Sequence, residues 1–475
     1  MTSFRGLSNQ PRRRAGVSQI IIPGLAWASL VVACGGRGAV PAPAPVMPQL
    51  EIAPERALVD VPLSIRVSGV EPGERVTLRA TMARTPEVAW QSSAVFVADA
   101  GGRVDPGKDA PVEGSYEGVD AMGLVWSMTP SSDAWMTAPP PGQLEAMHIR
   151  FEAERGGEVF AGIDVERLRV AADVTRHEVN ADGLVGALFL PPGATAAAPV
   201  PGVLVLGGSE GGMREDTAAL LASHGHATLA LAYFAAGALP EKMENIPLEY
   251  FEKALKWMGD HEAIDGEHLA VQGISRGGEL ALLVAAHYPA YIDAVVAHVP
   301  SGVVWPGIGR LPPEPAWTKD GAPLPSGSLQ FDAATGAEMG RRIRSGEPVE
   351  LAPLFRPGMA DRAAMTAAEI PVERIRGPLL LISAKADLLW PSTELTEIAV
   401  ARLRAHEHPF PVEHLAYDAA GHLIMPPYRV TSMLALNHPA LKMKLSLGGT
   451  AAGTARANAE SWPRVLSFLE QALRK

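Results

Sequence analysis

Residues 267–283 read EHLAVQGISRGGELALL. An apolar run leads into Gly273-Ile274-Ser275-Arg276-Gly277, and a series of helix formers follows. This pattern predicts a strand that turns sharply into a helix, with Ser275 at the corner and a glycine on each side to relieve crowding. A serine hydroxyl is a weak nucleophile at neutral pH. It needs a base within hydrogen-bond reach, itself oriented by a carboxylate. Downstream the chain offers both, each just after an apolar strand: Asp387 behind LLLISAKA (379–386), and His422 behind PVEHLAYDAAG (411–421).

The order Ser, Asp, His is that expected of an α/β-hydrolase, and the surrounding sequence agrees. VTRHEVNADGLVGALFLPPG (174–193) reads as a β-hairpin. Strands then alternate with helices: PVPGVLVLGG (199–208), TAALLASHG (217–225) closed by Gly225, HATLALAYF (226–234), and the amphipathic LEYFEKALKWMGDH (248–261). IDAVVAHVP (292–300) and the two strands before Asp387 and His422 follow, and SWPRVLSFLEQALRK (461–475) closes the chain as a helix. Such alternation gives a mostly parallel sheet with helices on both faces. From 301 to 365 the pattern lapses into Pro- and Gly-rich sequence with Trp305 and Trp317, which reads as a cap without clear elements.

A second Gly-x-Ser-x-Gly occurs earlier, at Gly207-Gly208-Ser209-Glu210-Gly211. It follows a strand but opens into a longer, looser loop. The expectation is that Ser275 is the nucleophile, while backbone N–H groups of Gly208 and Ser209, with that of Arg276, form an oxyanion hole. A phosphate loop fits 207–212 poorly, because no Lys-Ser/Thr follows. Three further histidines, His406, His408 and His414, imitate a metal cluster, but charged neighbours and a helix end make them ordinary, and no metal or cofactor is expected. His224 and His226 flank a helix-closing glycine and read as structural, with contact to a ligand as the alternative. Trp390 and Pro391 are expected to pack the loop of the acid. The Arg276 side chain either meets an anionic group of the substrate or braces the turn.

The whole chain has 475 residues, is 47% hydrophobic and carries a formal charge of −11. There is room for more than one buried core. The negative balance argues against a nucleic-acid binder and against passive attraction to anionic lipids. The single cysteine, Cys34, allows no internal disulfide. It ends an apolar run (17–32) that follows Arg12, Arg13 and Arg14, so residues 1–34 read as a secretory signal. Val31-Val32-Ala33-Cys34 resembles a bacterial lipobox, which would lipidate Cys34 and place the protein in the cell envelope; otherwise it is cytoplasmic. The Pro/Gly-rich 35–48 would be a tether. From 49 to 172, short alternating segments (63–69, 74–82, 94–100, 147–154, 167–173) separated by turns predict an antiparallel, immunoglobulin-like β-sandwich. The α/β-hydrolase domain is then 173–475.

These residues resemble the acyl-CoA thioesterase family that includes bile acid-CoA:amino acid N-acyltransferase. Among the N-terminal residues the resemblance rests on ALVDVPLSIRVSGVEPGERVTLRA (57–80) and GSYEGVDAMGLVWSM (114–128). Further on it rests on VLVLGGSEGGM, LLASHGHATLALAYF, GISRGGELAL, IRGPLLLISAKADLLWPS and YDAAGHLIMPPY. It implies a β-sandwich followed by a hydrolase domain, a triad of Ser275, Asp387 and His422, and an acyl-CoA substrate. Amino-acid-conjugating members carry cysteine at the nucleophile, so Ser275 implies hydrolysis. The family often has further acids or glycine before the catalytic acid; here Ala384-Lys385-Ala386 leaves Asp387 alone. Acyl-CoA is cytosolic, which sits awkwardly with an exported lipoprotein. The rivals are an exported carboxylesterase, an N-acyltransferase, and a non-catalytic envelope binding protein.

Overall fold

Eight strands make the central sheet, and their register follows from runs of residues buried on both faces. In a computed structural model that describes residues 47–85, 88–131, 144–309, 312–330 and 332–474, they are β1 (Thr175–Val179), β2 (Val185–Leu190), β3 (Val200–Leu206), β4 (Ala227–Ala232), β5 (Ile264–Ile274), β6 (Ala294–His298), β7 (Leu379–Ala384) and β8 (Val412–Tyr417). The order across the sheet is β1-β2-β4-β3-β5-β6-β7-β8. β1 pairs antiparallel with β2, as the hairpin reading expects; β4 also pairs antiparallel with β2, and every later pairing is parallel. Strands β4, β6 and β7 are buried at every position, the mark of a parallel sheet covered on both faces.

Among the described residues from 215 onward, five of the eight α-helices supply those covers. The eight are α1 (Glu215–Ala222), α2 (Glu249–Gly259), α3 (Arg276–His287), α4 (Ala333–Ser345), α5 (Ala352–Met359), α6 (Arg362–Ala368), α7 (Ser392–Ala405) and α8 (Ala451–Ala472). One face of the sheet packs on α2, α3 and α7 through Phe251, Leu255, Leu280, Leu283, Ala399 and Leu403. The other packs on α1 and α8 through Ala218, Leu221, Trp462, Val465 and Leu469. Each such fully buried Leu, Val or Phe contributes roughly 1.5–3 kcal/mol against exposure.

Before the central sheet come two smaller ones. Gln49–Ala53, Ser64–Ser68 and Arg103–Val104 form a three-stranded sheet. Arg56–Leu58, Glu158–Leu168, Met147–Arg155, Arg75–Thr85, Val88–Val97 and Glu113–Gly114 follow one another in a larger sheet, which Thr129–Pro130 joins at Val88–Val97. Ile52, Ile65 and Val67 from the first share a core with Val76, Trp90, Phe96 and Phe151 from the second. That core does not stop at the sandwich. It runs on into α1, α8 and the adjoining sheet face, and the described residues form one compact unit. Asp60 pins the junction: its Oδ2 accepts from Trp462 Nε1 at 2.8 Å and meets His224 Nε2 at 2.6 Å.

Three expectations are corrected. Residues 167–173 are not the last sandwich strand; that strand is Glu158–Leu168, and Gly162 within it makes room for Arg150, whose guanidinium would lie 2.4 Å from any Cβ there. The segment 301–365 is not featureless, since α4, α5 and the start of α6 lie in it. The closing helix begins at Ala451, ten residues before the stretch read as helical, with Thr450 accepting from Gly453 N–H as its N-cap. Cys34 and residues 1–46 lie outside the described residues.

Candidate active site

Ser275 joins β5 to α3 with φ 59° and ψ −123°, a conformation that costs on the order of 1–3 kcal/mol for a residue with a Cβ. The glycines around it are set by contact. A Cβ on Gly273 would lie 1.9 Å from the Gly277 carbonyl oxygen, and one on Gly277 would lie 2.2 Å from that of Gly207. The turn is held because Ser275 N–H donates to the His298 carbonyl at 2.9 Å, while Gly278 and Glu279 N–H groups donate back to the Ser275 carbonyl.

Ser275, Asp387 and His422, far apart in sequence, meet here. His422 Nε2 is 2.9 Å from Ser275 Oγ, and His422 Nδ1 is 2.8 Å from Asp387 Oδ2. All three are buried: Ser275 is 8% exposed, Asp387 3% and His422 2%. The other carboxylate oxygen, Oδ1, accepts the N–H groups of Leu389 and Trp390 at 2.9 and 3.3 Å, which fixes the carboxylate plane. Trp390 packs edge-on to His422, and its Nε1 donates to the Val299 carbonyl. The histidine loop is held by His422 N–H donating to the Leu447 carbonyl. Gly421 serves close approach rather than bending: a Cβ there would lie 2.2 Å from the Gly448 carbonyl oxygen. Such a chain can take a proton from the hydroxyl and keep the resulting imidazolium beside a carboxylate.

The loop after β3 lies against this serine. A Cβ on Gly208 would be 3.3 Å from the Cβ of Ser275 and 2.7 Å from Glu210 Oε2. The Tyr233 hydroxyl, buried at the end of β4, is within hydrogen-bond distance of the Gly207 and Gly208 carbonyls at 2.7 and 3.3 Å. A trans peptide points its N–H opposite to its C=O, so the Ser209 N–H is turned away from Tyr233. Arg276 N–H, at the first position of α3, has no intrahelical acceptor. Burial raises the Tyr233 hydroxyl pKa well above its usual value, so it stays a donor.

The Arg276 side chain is a brace. It is 5% exposed, its Nη1 pairs with Glu279 at 2.9 Å and its Nη2 donates to the Trp305 carbonyl at 2.8 Å. Trp317 Nε1 donates to Glu279 Oε1, also at 2.8 Å. Burial pushes the Glu279 carboxyl up, and the Arg276 charge opposes that shift. The pair therefore ties the start of α3 to the segment read as a cap.

A second serine–histidine–carboxylate chain exists and was not anticipated. Ser383 Oγ is 2.8 Å from His414 Nε2, and His414 Nδ1 is 2.9 Å from Glu397. Ser383 sits inside regular β7 with no exposure, and Thr393 also bonds its hydroxyl. Without access or a strained turn it is a structural tie. This chain occupies His414, and His408 lies 3.3 Å from the Gly377 carbonyl. Among the described residues no group of three His, Cys, Asp or Glu is placed to hold a metal.

Residues 246–475 match the family described as BAAT / Acyl-CoA thioester hydrolase C terminal, and residues 60–181 match its N-terminal region. The chain is similar to acyl-coenzyme A thioesterase 6 of Mus musculus, 32% identical over 425 residues, 88% of this chain and 95% of that protein. Acyl-coenzyme A amino acid N-acyltransferase 2 of Mus musculus is 31% identical over 449 residues, covering 90% and 98%. The peroxisomal succinyl-coenzyme A thioesterase of Mus musculus is 29% identical over 418 residues, covering 87% and 94%.

Proposed function

The chain belongs to the acyl-CoA thioester hydrolase and BAAT family, it is a hydrolase, and we propose that it cleaves acyl-CoA through an acyl-enzyme on Ser275. Ser275 Oγ attacks the thioester carbonyl as His422 Nε2 takes its proton. Asp387 holds the imidazole and offsets its charge. The N–H groups of Ser209 and Arg276, with Gly208 leaving the space, stabilise the oxyanion. The tetrahedral intermediate collapses with loss of the CoA thiolate, which takes up the proton from His422. Water, activated by His422, then attacks the acyl-enzyme and releases the free acid. The observation that carries this reading is the unbroken hydrogen-bond chain from Ser275 through His422 to Asp387, at a serine in a left-handed conformation.

Ser275→Ala should lower thioester hydrolysis by at least about 10³-fold while the fold survives. Near wild-type turnover in that variant would overturn the assignment. Transfer to an amine is the second reading, favoured by the N-acyltransferase among the relatives. Against it, the nucleophile is a serine, and conjugates in place of free acid on adding glycine or taurine would establish it. We further take residues 49–172 as an immunoglobulin-like domain, and Cys34 as a lipidation site that anchors the chain to the envelope. Loss of labelled-palmitate incorporation in Cys34→Ser tests the anchor, and hydrolysis of oxygen esters alone would recast an exported form as a carboxylesterase.

A further inference from the structure

We propose that the Ser209 hydroxyl is a third, side-chain donor to the oxyanion and that His438 is its positioning residue; this rests on the assignment of Ser275 above. His438 ends the short strand Ala435–His438, which pairs with Met443–Ser446, and is 5% exposed. Its Nδ1 accepts the N–H of Leu441 at 3.1 Å. A neutral imidazole has one donor and one acceptor nitrogen. With Nδ1 taken as acceptor, the proton sits on Nε2, which lies 2.9 Å from Ser209 Oγ. The histidine therefore donates and the serine oxygen accepts. Burial lowers the His438 pKa, which favours this neutral form.

What remains is the serine's own hydrogen. Among the described residues the one hydrogen-bond partner of Ser209 Oγ is His438, and that contact uses a lone pair. Ser209 is 9% exposed and follows Gly208, the residue whose added Cβ would touch the Cβ of Ser275. The two peptide carbonyls before it are tied to Tyr233, which restrains the backbone that carries the hydroxyl, and His438 holds the hydroxyl itself. The result is an O–H donor held by His438, with its proton uncommitted, on the residue after the glycine that abuts Ser275. Negative charge develops on the substrate carbonyl oxygen as Ser275 attacks, and a donor already oriented there needs no reorganisation at the moment of reaction. No proton is transferred; the hydroxyl only hydrogen-bonds the oxyanion.

Steady-state hydrolysis of a long-chain acyl-CoA and the affinity of an acyl trifluoromethyl ketone, which Ser275 traps as an oxyanion, are measured on the full protein. In Ser209→Ala, kcat should fall about 10- to 100-fold, at or below the low end of what a lost oxyanion donor costs because two backbone donors remain, with KM within about twofold. Ketone affinity should weaken by the same factor, and Ser209→Thr, which keeps the hydroxyl, should recover most of the loss. His438→Ala should cost less than Ser209→Ala and add nothing to it in the double variant, as two members of one device do. Unchanged kcat and ketone affinity in Ser209→Ala would reduce the pair to a structural tie. Equal losses in the Thr and Ala variants would do the same. Should Ser209→Ala fail to fold, Ser209→Cys keeps the volume with only a weak donor and carries the comparison. A fully active Ser275→Ala would refute the parent assignment, whereas an inactive Ser275→Ala beside a fully active Ser209→Ala would refute this inference alone.

Discussion

Replacing Asp387 by asparagine changes one atom and, with it, the proton position on His422. Oδ1 of Asp387 accepts two backbone N–H groups, from Leu389 and Trp390, and Oδ2 faces His422 Nδ1. Backbone N–H groups only donate, so the oxygen of the asparagine must occupy the Oδ1 place and its NH₂ must face the imidazole. An NH₂ also only donates. His422 Nδ1 then becomes the acceptor, the proton moves to Nε2, and the nitrogen 2.9 Å from Ser275 Oγ is no longer a base. The variant also loses the attraction between carboxylate and imidazolium, about 4 kcal/mol at 4 Å with an effective dielectric of about 20. Together these effects set the expected loss at about 10⁴-fold in kcat, or roughly 5.5 kcal/mol. Side-chain volume and the two backbone bonds are retained, so the melting temperature should hold. Thiol release from acyl-CoA in single turnovers measures the acylation step directly, and labelling by a fluorophosphonate should slow in parallel. A loss below tenfold in a folded Asp387→Asn would show that another group sets the tautomer of His422.

Two further outcomes follow from groups around the site. Glu279→Ala leaves Arg276 buried without its counter-charge, which should cost about 3–5 kcal/mol in chemical denaturation; a loss below about 1 kcal/mol would mean that the pair is not the brace described. Burial pushes both His226 and His298 down to about 4. Their folded pKa lies below the unfolded value of about 6.5, so between these pH values the unfolded chain binds more protons. Stability is therefore full above about pH 6.5 and falls as pH drops toward 4. The melting temperature should decline over that window, less steeply in His226→Gln, and a flat profile in the parent would refute the assignment.

The three residues of the proposed relay were legible because each lies at the carboxyl end of an apolar strand, where an open α/β sheet presents its ligands and catalytic groups. The chain order then excluded most alternatives. The helices over 333–368 were not legible for the same physical reason in reverse. α4 buries no residue at all, so it has no apolar stripe to read. Its only local marks are its Asp332 N-cap and the left-handed Gly346 that ends it. α5 carries Pro357 in its interior, which reads as a breaker. The first ten residues of α8 are mostly small or polar, and its Thr450 cap was the signal available.

Sequence alone determined that a serine would sit on a strained turn in a sheet of alternating strands and helices, because strand, glycine and helix signals there are local and agree. Tertiary structure set two serine–histidine–carboxylate chains apart, with Ser275 on a strained turn and Ser383 sealed inside a strand. Ser383, His414 and Glu397 have hydrogen-bond distances within 0.1 Å of those of the proposed relay and differ in burial and backbone strain, which composition and spacing do not carry. It also decided that Arg276 faces Glu279 and the two tryptophans rather than a ligand. Only there does His438 reach Ser209 across 229 residues of chain. Packing selects such contacts, since each depends on the placement of elements that no local pattern specifies.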